Sequence, residues 1–265
     1  MNQNFLFGLS ALVALVPAAL IGLRSAGSRD AAYWATIAVA AAGPLAWTAV
    51  QMAGHWETGV SASLWVTVAT VMILFVLLAA TTRQAWRLTP LIGPYLVLLG
   101  AIALIWQQAP ARPLMAALDA WVEIHIASAV LTYALVTIAA VAALAAVLQE
   151  RALKAKRPTH FTDKLPSVAD SETLLVRLLI ASEVILAIGL ATGMATLYRE
   201  TGRVLAFDHK IVLTVTAFGV IGGLLAAHFI SGTRGRTAGR WVLLAYLLLT
   251  LGYPGVKFVT DVLMS

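Results

Sequence analysis

Apolar residues run through this chain in long blocks, and polar residues gather in the gaps between them. The first block, "NFLFGLSALVALVPAALIGL", carries no charge at all. A helix rises about 1.5 Å per residue, so about 20 apolar residues cross a hydrocarbon layer about 30 Å thick. Eight blocks reach that length, at residues 4–23, 31–53, 60–81, 89–107, 121–149, 172–198, 209–230 and 241–262. The pattern predicts an all-α polytopic membrane helical bundle of about eight transmembrane helices. Pro17, Pro44, Pro94 and Pro254 fall inside or at the edges of these blocks. Membrane helices tolerate proline where neighbouring groups re-satisfy the freed backbone.

Composition agrees. Of 265 residues, 61% are hydrophobic and 11% charged, whereas soluble domains carry about 25% charged residues. There is no cysteine. That excludes disulfides, thiolate metal sites, iron–sulfur clusters and covalent haem attachment. Any haem would be held non-covalently. No basic residue precedes the first apolar block, so it reads as a spanning helix rather than a cleaved signal peptide. Its positive flank, Arg24 and Arg29, follows it.

The net charge of +6 does not point to nucleic acid, because the basic residues lie in short loops between apolar blocks. One set of alternate loops carries twelve Lys and Arg, from Arg24 to Arg240; the opposite set carries five, Arg112, Arg199, Arg203, Lys210 and Lys257. The richer side is expected to be cytoplasmic. Both termini then lie outside, in the periplasm if the membrane is a Gram-negative inner membrane. The chain divides into an N-terminal four-helix half, 1–118, and a C-terminal four-helix half, 119–265. The cytoplasmic loop 150–170 within the latter, "ERALKAKRPTHFTDKLPSVAD", reads as a tether between helices. "GLATG", Gly189 to Gly193, reads as a helix-packing motif.

Candidate chemistry centres on histidine. His55, His125 and His209 fall at the outer ends of predicted helices, His160 lies in the cytoplasmic loop, and His228 lies 19 residues after His209. In a continuous helix that separation is about 28 Å, so His209 and His228 cannot share one small ligand. Imidazoles from two helices in one layer suit the two axial positions of a haem. Trp47, Trp56, Trp65, Trp106 and Trp121 fall in the same layer, as an interfacial belt or as a platform for a porphyrin. Zinc is a weaker fit, because Glu123 and His125 are two apart and helical metal pairs sit three or four apart. Glu57, Glu123 and Asp208 are candidate acceptors for ring N–H groups. Glu183 is an ionisable residue inside an apolar block, with His228 or Arg177 as candidate partners.

These residues resemble a known family. "IHIASAVLTYALVTIAAVAALAAVLQER" is similar to the first histidine-bearing helix of the cytochrome c assembly membrane family, closest to its CcsA-type, YpjD- and HemX-like members. "ETLLVRLLIASEVILAIGLATG" resembles the helix that follows. "FDHKIVLTVTAFGVIGGLLAAHFISGTRGRTAGRWVLLAYLLLTLGYPGVKFV" resembles the C-terminal pair. The likeness covers residues 119–265; the first half matches in topology. It implies non-covalent haem b at the outer membrane face, with His125 and His209 as the axial iron ligands and His228 as an intramembrane histidine. Arg199, Arg203 and Lys210 are then candidates to pair with the anionic propionates. His55 and Trp121 complete the candidate cofactor-binding set. The family's tryptophan-rich loop is missing from "RETGRVLAFDHK", Arg199 to Lys210.

The expectation is a non-enzymatic haem-binding factor linked to cytochrome c assembly rather than a ligase. Its partners would be the lipid bilayer, haem and other assembly or membrane proteins. Two other readings compete. One is a scaffold or regulatory partner of another integral protein, with no cofactor. The other is a proton-coupled small-solute transporter that uses Glu183 and His228.

Overall fold

The computed structural model describes residues 3–22, 24, 28–53, 57–109, 112–113, 120–202, 209–233, 235–259 and 262. Among them run α1 (Gln3–Ile21), α2 (Ala31–Met52), α3 (Val60–Thr81), α4 (Thr89–Ile105), α5 (Ala120–Lys154), α6 (Val168–Thr201), α7 (His209–Ser231), α8 (Gly235–Thr250) and the single turn α9 (Val256–Phe258). Eight of the helical stretches are long and apolar enough to cross a membrane. Eight crossings return the chain to the end where it started. The start of α1 and the finish of α8 therefore share one end, the upper end. Trp106 at the close of α4 meets Phe258 edge-on there, with ring centres 5.1 Å apart. The two-residue strands β1 (Glu57–Thr58) and β2 (Arg112–Pro113) pair antiparallel at the same end.

Capping groups set several of the helix boundaries. The Ser167 hydroxyl accepts the Asp170 N–H at 3.1 Å and starts α6 at Val168, four residues before the apolar block. Asp30 caps α2 by accepting the Tyr33 N–H at 2.8 Å. These side chains satisfy donors that a helix start leaves open. Gly202, at φ +69°, ends α6 in a left-handed turn. At the lower end α8 begins at Gly235, not at 241, and includes Arg236 and Arg240. Pro254 cannot donate a backbone hydrogen bond. The chain passes it in a π-helical turn, Leu251–Gly255.

In lipid, helices are held together by close packing rather than by expulsion of water. Small residues make the approach possible. A Cβ at Gly93 of α4 would sit 2.7 Å from the Ala19 Cα of α1. Hydroxyls are spent within helices or between them: Thr137 donates to the Tyr133 carbonyl at 2.8 Å, and Ser61 on α3 donates to the Ala103 carbonyl of α4 at 2.7 Å. α5 is the most deeply buried span and its pairing with α6 is the most extensive in the bundle. Leu20, Leu77 and Leu98 are left exposed, as a lipid-facing surface requires.

Two sequence expectations change here. Trp47 and Trp65 are core residues, 4% and 0% exposed, and form neither a belt nor a platform. Their helical phase points them inward, and Gly100 opposite leaves room for the Trp65 ring. The loop after α5 is also more than a tether. Thr162–Lys164 form a 3₁₀ turn, Leu165 is wholly buried, and the Gln149 side chain donates to the Thr162 carbonyl at 2.7 Å. Arg87, before α4, donates to the Asp163 and Lys164 carbonyls at 2.5 and 3.2 Å. Gly93→Ala should push α4 from α1 and cost about 1–3 kcal/mol, in the range of other overpacked sites. A thermal melt in detergent reads this as a lowered midpoint.

Candidate functional site

A cavity of about 520 Å³ opens between α5, α6, α7 and the π-helical turn, in the upper half of the bundle. Cofactor sites usually measure roughly 300–1,000 Å³, with mostly apolar walls and a few placed polar groups. Leu186, Leu190, Met194 and Leu249 supply apolar wall, and His125, Thr132 and Tyr133 supply polar atoms. The Thr132 hydroxyl is buried with no hydrogen-bond partner among the described residues.

His125 lies one and a half turns into α5, half-buried against α6. Its Nδ1 is 2.9 Å from the Gly189 carbonyl oxygen. A carbonyl only accepts, so Nδ1 carries the proton and donates. In the neutral ring Nε2 then keeps its lone pair. A ring fixed in this way through its other nitrogen is the usual form of a metal-ligating histidine. The ring rests on Gly193. A Cβ there would sit 2.8 Å from Cε1 and 3.0 Å from Nδ1, so a residue with a side chain displaces the imidazole. A Cβ at Gly189 would sit 2.9 Å from the Ser128 hydroxyl. The glycine pair thus packs the helices and also seats the histidine.

The other sequence-predicted residues fall as follows. His209 is the first residue of α7 and is exposed; Ile211 and Thr214, just after it, line the cavity. His228 is at the lower end of the same unbroken helix. There its Nδ1 donates to the Thr233 carbonyl at 3.1 Å, beside a small separate pocket that also contains Glu172. Trp121 is exposed, one turn before His125, and Arg199 is exposed in the last turn of α6. His55, Trp56, Arg203 and Asp208 lie outside the described residues, as do the side chains of Glu57 and Lys210. The acceptor for the His125 ring is a backbone carbonyl; Glu123 is exposed. Glu183 packs against Gly222 of α7, and its Oε2 is buried with no hydrogen-bond partner among the described residues. Among the described residues it forms no ion pair with His228 or Arg177.

Sequence reasoning missed a tyrosine cluster below His125. The Tyr246 hydroxyl of α8 is 2.5 Å from that of Tyr95 on α4 and 3.3 Å from that of Tyr133 on α5. Tyr133 also bonds Thr250 at 3.1 Å, and its ring stacks on Tyr246 with centres 5.8 Å apart. Tyr133 and Tyr253 face the cavity, so the cluster backs its floor. The members come from distant positions with no shared motif, and no sequence signal joins them. Tyr246→Phe removes the hydroxyl that bridges Tyr95 and Tyr133. It should cost about 0.5–1.5 kcal/mol, seen as a lower unfolding midpoint, whereas Tyr253→Phe should change stability little.

Comparison with known proteins gives the family. The family described as cytochrome C assembly protein matches residues 30–264. A protein of Azospirillum brasilense, described as an uncharacterized 28.8 kDa protein in the nifR3-like 5′ region, is 55% identical over 271 residues, with 100% of each chain covered. No solved structure matches the chain. The chain therefore belongs to the cytochrome c assembly protein family, and is a multi-pass membrane protein with a role in cytochrome c biogenesis.

Proposed function

We propose that this protein binds haem b non-covalently in the upper cavity, at the outer face of the inner membrane, and handles it for cytochrome c assembly. One observation carries the reading: the His125 ring is held by the Gly189 carbonyl on a glycine seat, with Nε2 left as the basic nitrogen beside a largely apolar cavity. The unpartnered Thr132 hydroxyl is a second fit, since a polar group of a ligand can reach it. Family membership supports the same cofactor class.

His125 would hold the haem iron, with His209, two residues before the cavity-lining Ile211, as a second ligand. Arg199, with Arg203 and Lys210 across the connection to α7, would pair with the propionates. Bound haem supplies an iron centre able to take imidazole ligands and change oxidation state. The protein's own part is to orient His125, exclude water with the leucine-rich wall and keep cations at the water boundary. Without the tryptophan-rich loop, binding or presentation suits this chain better than ligation.

The test is an absorption spectrum of protein purified in mild detergent from haem-replete cells. A Soret band with sharp reduced α and β bands is expected, strongly reduced by His125→Ala or His209→Ala. Gly193→Ala should weaken haem retention although both histidines remain. A colourless wild-type preparation that also fails to take up added haem overturns the proposal. The membrane face is tested separately, because a cysteine-free chain accepts single reporter cysteines. Thr159→Cys should react with an impermeant maleimide only from the cytoplasm, and Thr201→Cys only from outside.

A further inference from the structure

A second large cavity, of about 600 Å³, lies at the lower end, remote from His125. Its floor is Ile21, Gly22 and Pro90, where α1 and α4 touch: a Cβ at Gly22 would sit 2.7 Å from the Pro90 nitrogen. Its walls are Arg24 and Ser28 between α1 and α2, the turn before α4, and the folded part of the α5–α6 loop. Arg24, Arg83, Arg87 and Lys164 border it with His160, and Asp163 is the carboxylate among the described lining residues. The four cations come from three separate loop regions and converge on one concave space.

The convergence is built. The Arg87 guanidinium is held through Nε and Nη2 by the Lys164 and Asp163 carbonyls. Those contacts fix its position but do not neutralise its charge, and among the described residues it has no carboxylate partner. The Trp86 indole donates to the Arg83 carbonyl at 3.0 Å and fixes the turn that carries Arg83. Arg24 meets Asp30 at 3.5 Å, a solvent-exposed pair that is worth little. Like charges gathered in one concave site repel unless an anion joins them.

We propose that the lower cavity binds a phosphate group at the membrane–water boundary. A phosphate offers several acceptor oxygens to guanidinium forks, which match its geometry. Basic pockets between membrane helices are known to take anionic lipid headgroups. A soluble phosphate ester presents the same chemistry. The site explains why the α5–α6 loop is folded against the bundle: the loop supplies Lys164 and His160 and the carbonyls that aim Arg87.

The test uses the full-length protein in mild detergent, with phosphatidylglycerol, phosphatidylcholine, inorganic phosphate and pyrophosphate as probes. Thermal shift and native mass spectrometry read the binding. Preferential retention of phosphatidylglycerol over phosphatidylcholine is expected. The double variant Arg83→Gln/Lys164→Gln should weaken it about thirtyfold, two of the cations that border the cavity being lost. Arg151→Gln/Arg236→Gln, on the same face but outside the cavity, should leave it unchanged. Saturable pyrophosphate or phosphate binding without a lipid preference, lost in the same cavity variant, supports the site and assigns a soluble source. Wild-type binding must also fall as sodium chloride rises, a readout that holds even where the cavity variant folds poorly. No lipid preference together with no phosphate binding, equal loss in the control variant, or salt-independent binding overturns the proposal.

Discussion

Two helices in lipid have no water between them to expel, so their closeness has to come from shape. In this bundle the decisive shape is the glycine face of α6. At residue 193 the missing side chain is replaced by the His125 ring, and at 189 by the Ser128 hydroxyl. That approach also brings the Gly189 carbonyl within 2.9 Å of Nδ1. Helix packing, ring orientation and choice of tautomer are thus one event. The cavity depends on it too, because α5 and α6 supply most of its wall.

The two ends of the molecule treat charge in opposite ways. Around the upper cavity, polar groups are few and individually placed, and the floor is backed by tyrosines that share hydrogen bonds among themselves. Around the lower cavity, cations crowd together and the backbone of a folded loop holds them. An apolar site rewards precise orientation of a single lone pair. A charged one rewards number and convergence. Between them the bundle stays nearly free of ionisable groups, Glu183 being the described acidic exception well inside a span.

Much of the fold was legible in the sequence, for a simple reason. A membrane span must be apolar along its whole length, so the eight blocks announced eight helices and most boundaries came within a few residues. The misses have physical causes. The start of α6 depends on the Ser167 cap, and the start of α8 on arginines that a hydropathy count treats as loop. Trp65 was misplaced because distance from a helix end says nothing about which way a side chain faces; its phase buries it. Within the site, His125 and the glycine pair were both visible, but as separate features. Their union was not, since the acceptor is a main-chain carbonyl and carries no letter of its own. The tyrosine cluster was hidden because its members meet across three helices.

The seat of His125 has a bearing on how the protein is made. Everything that orients the ring belongs to α5 and α6, neighbours in the chain. A membrane protein is threaded into the bilayer from its N-terminus, so this hairpin can close before α7 and α8 have left the ribosome. The imidazole can be aimed without the far wall of its cavity, since no contact that orients it comes from α7 or α8. Later helices then dock onto a finished surface and need not correct it. What α7 and the π-helical turn add to the site is enclosure.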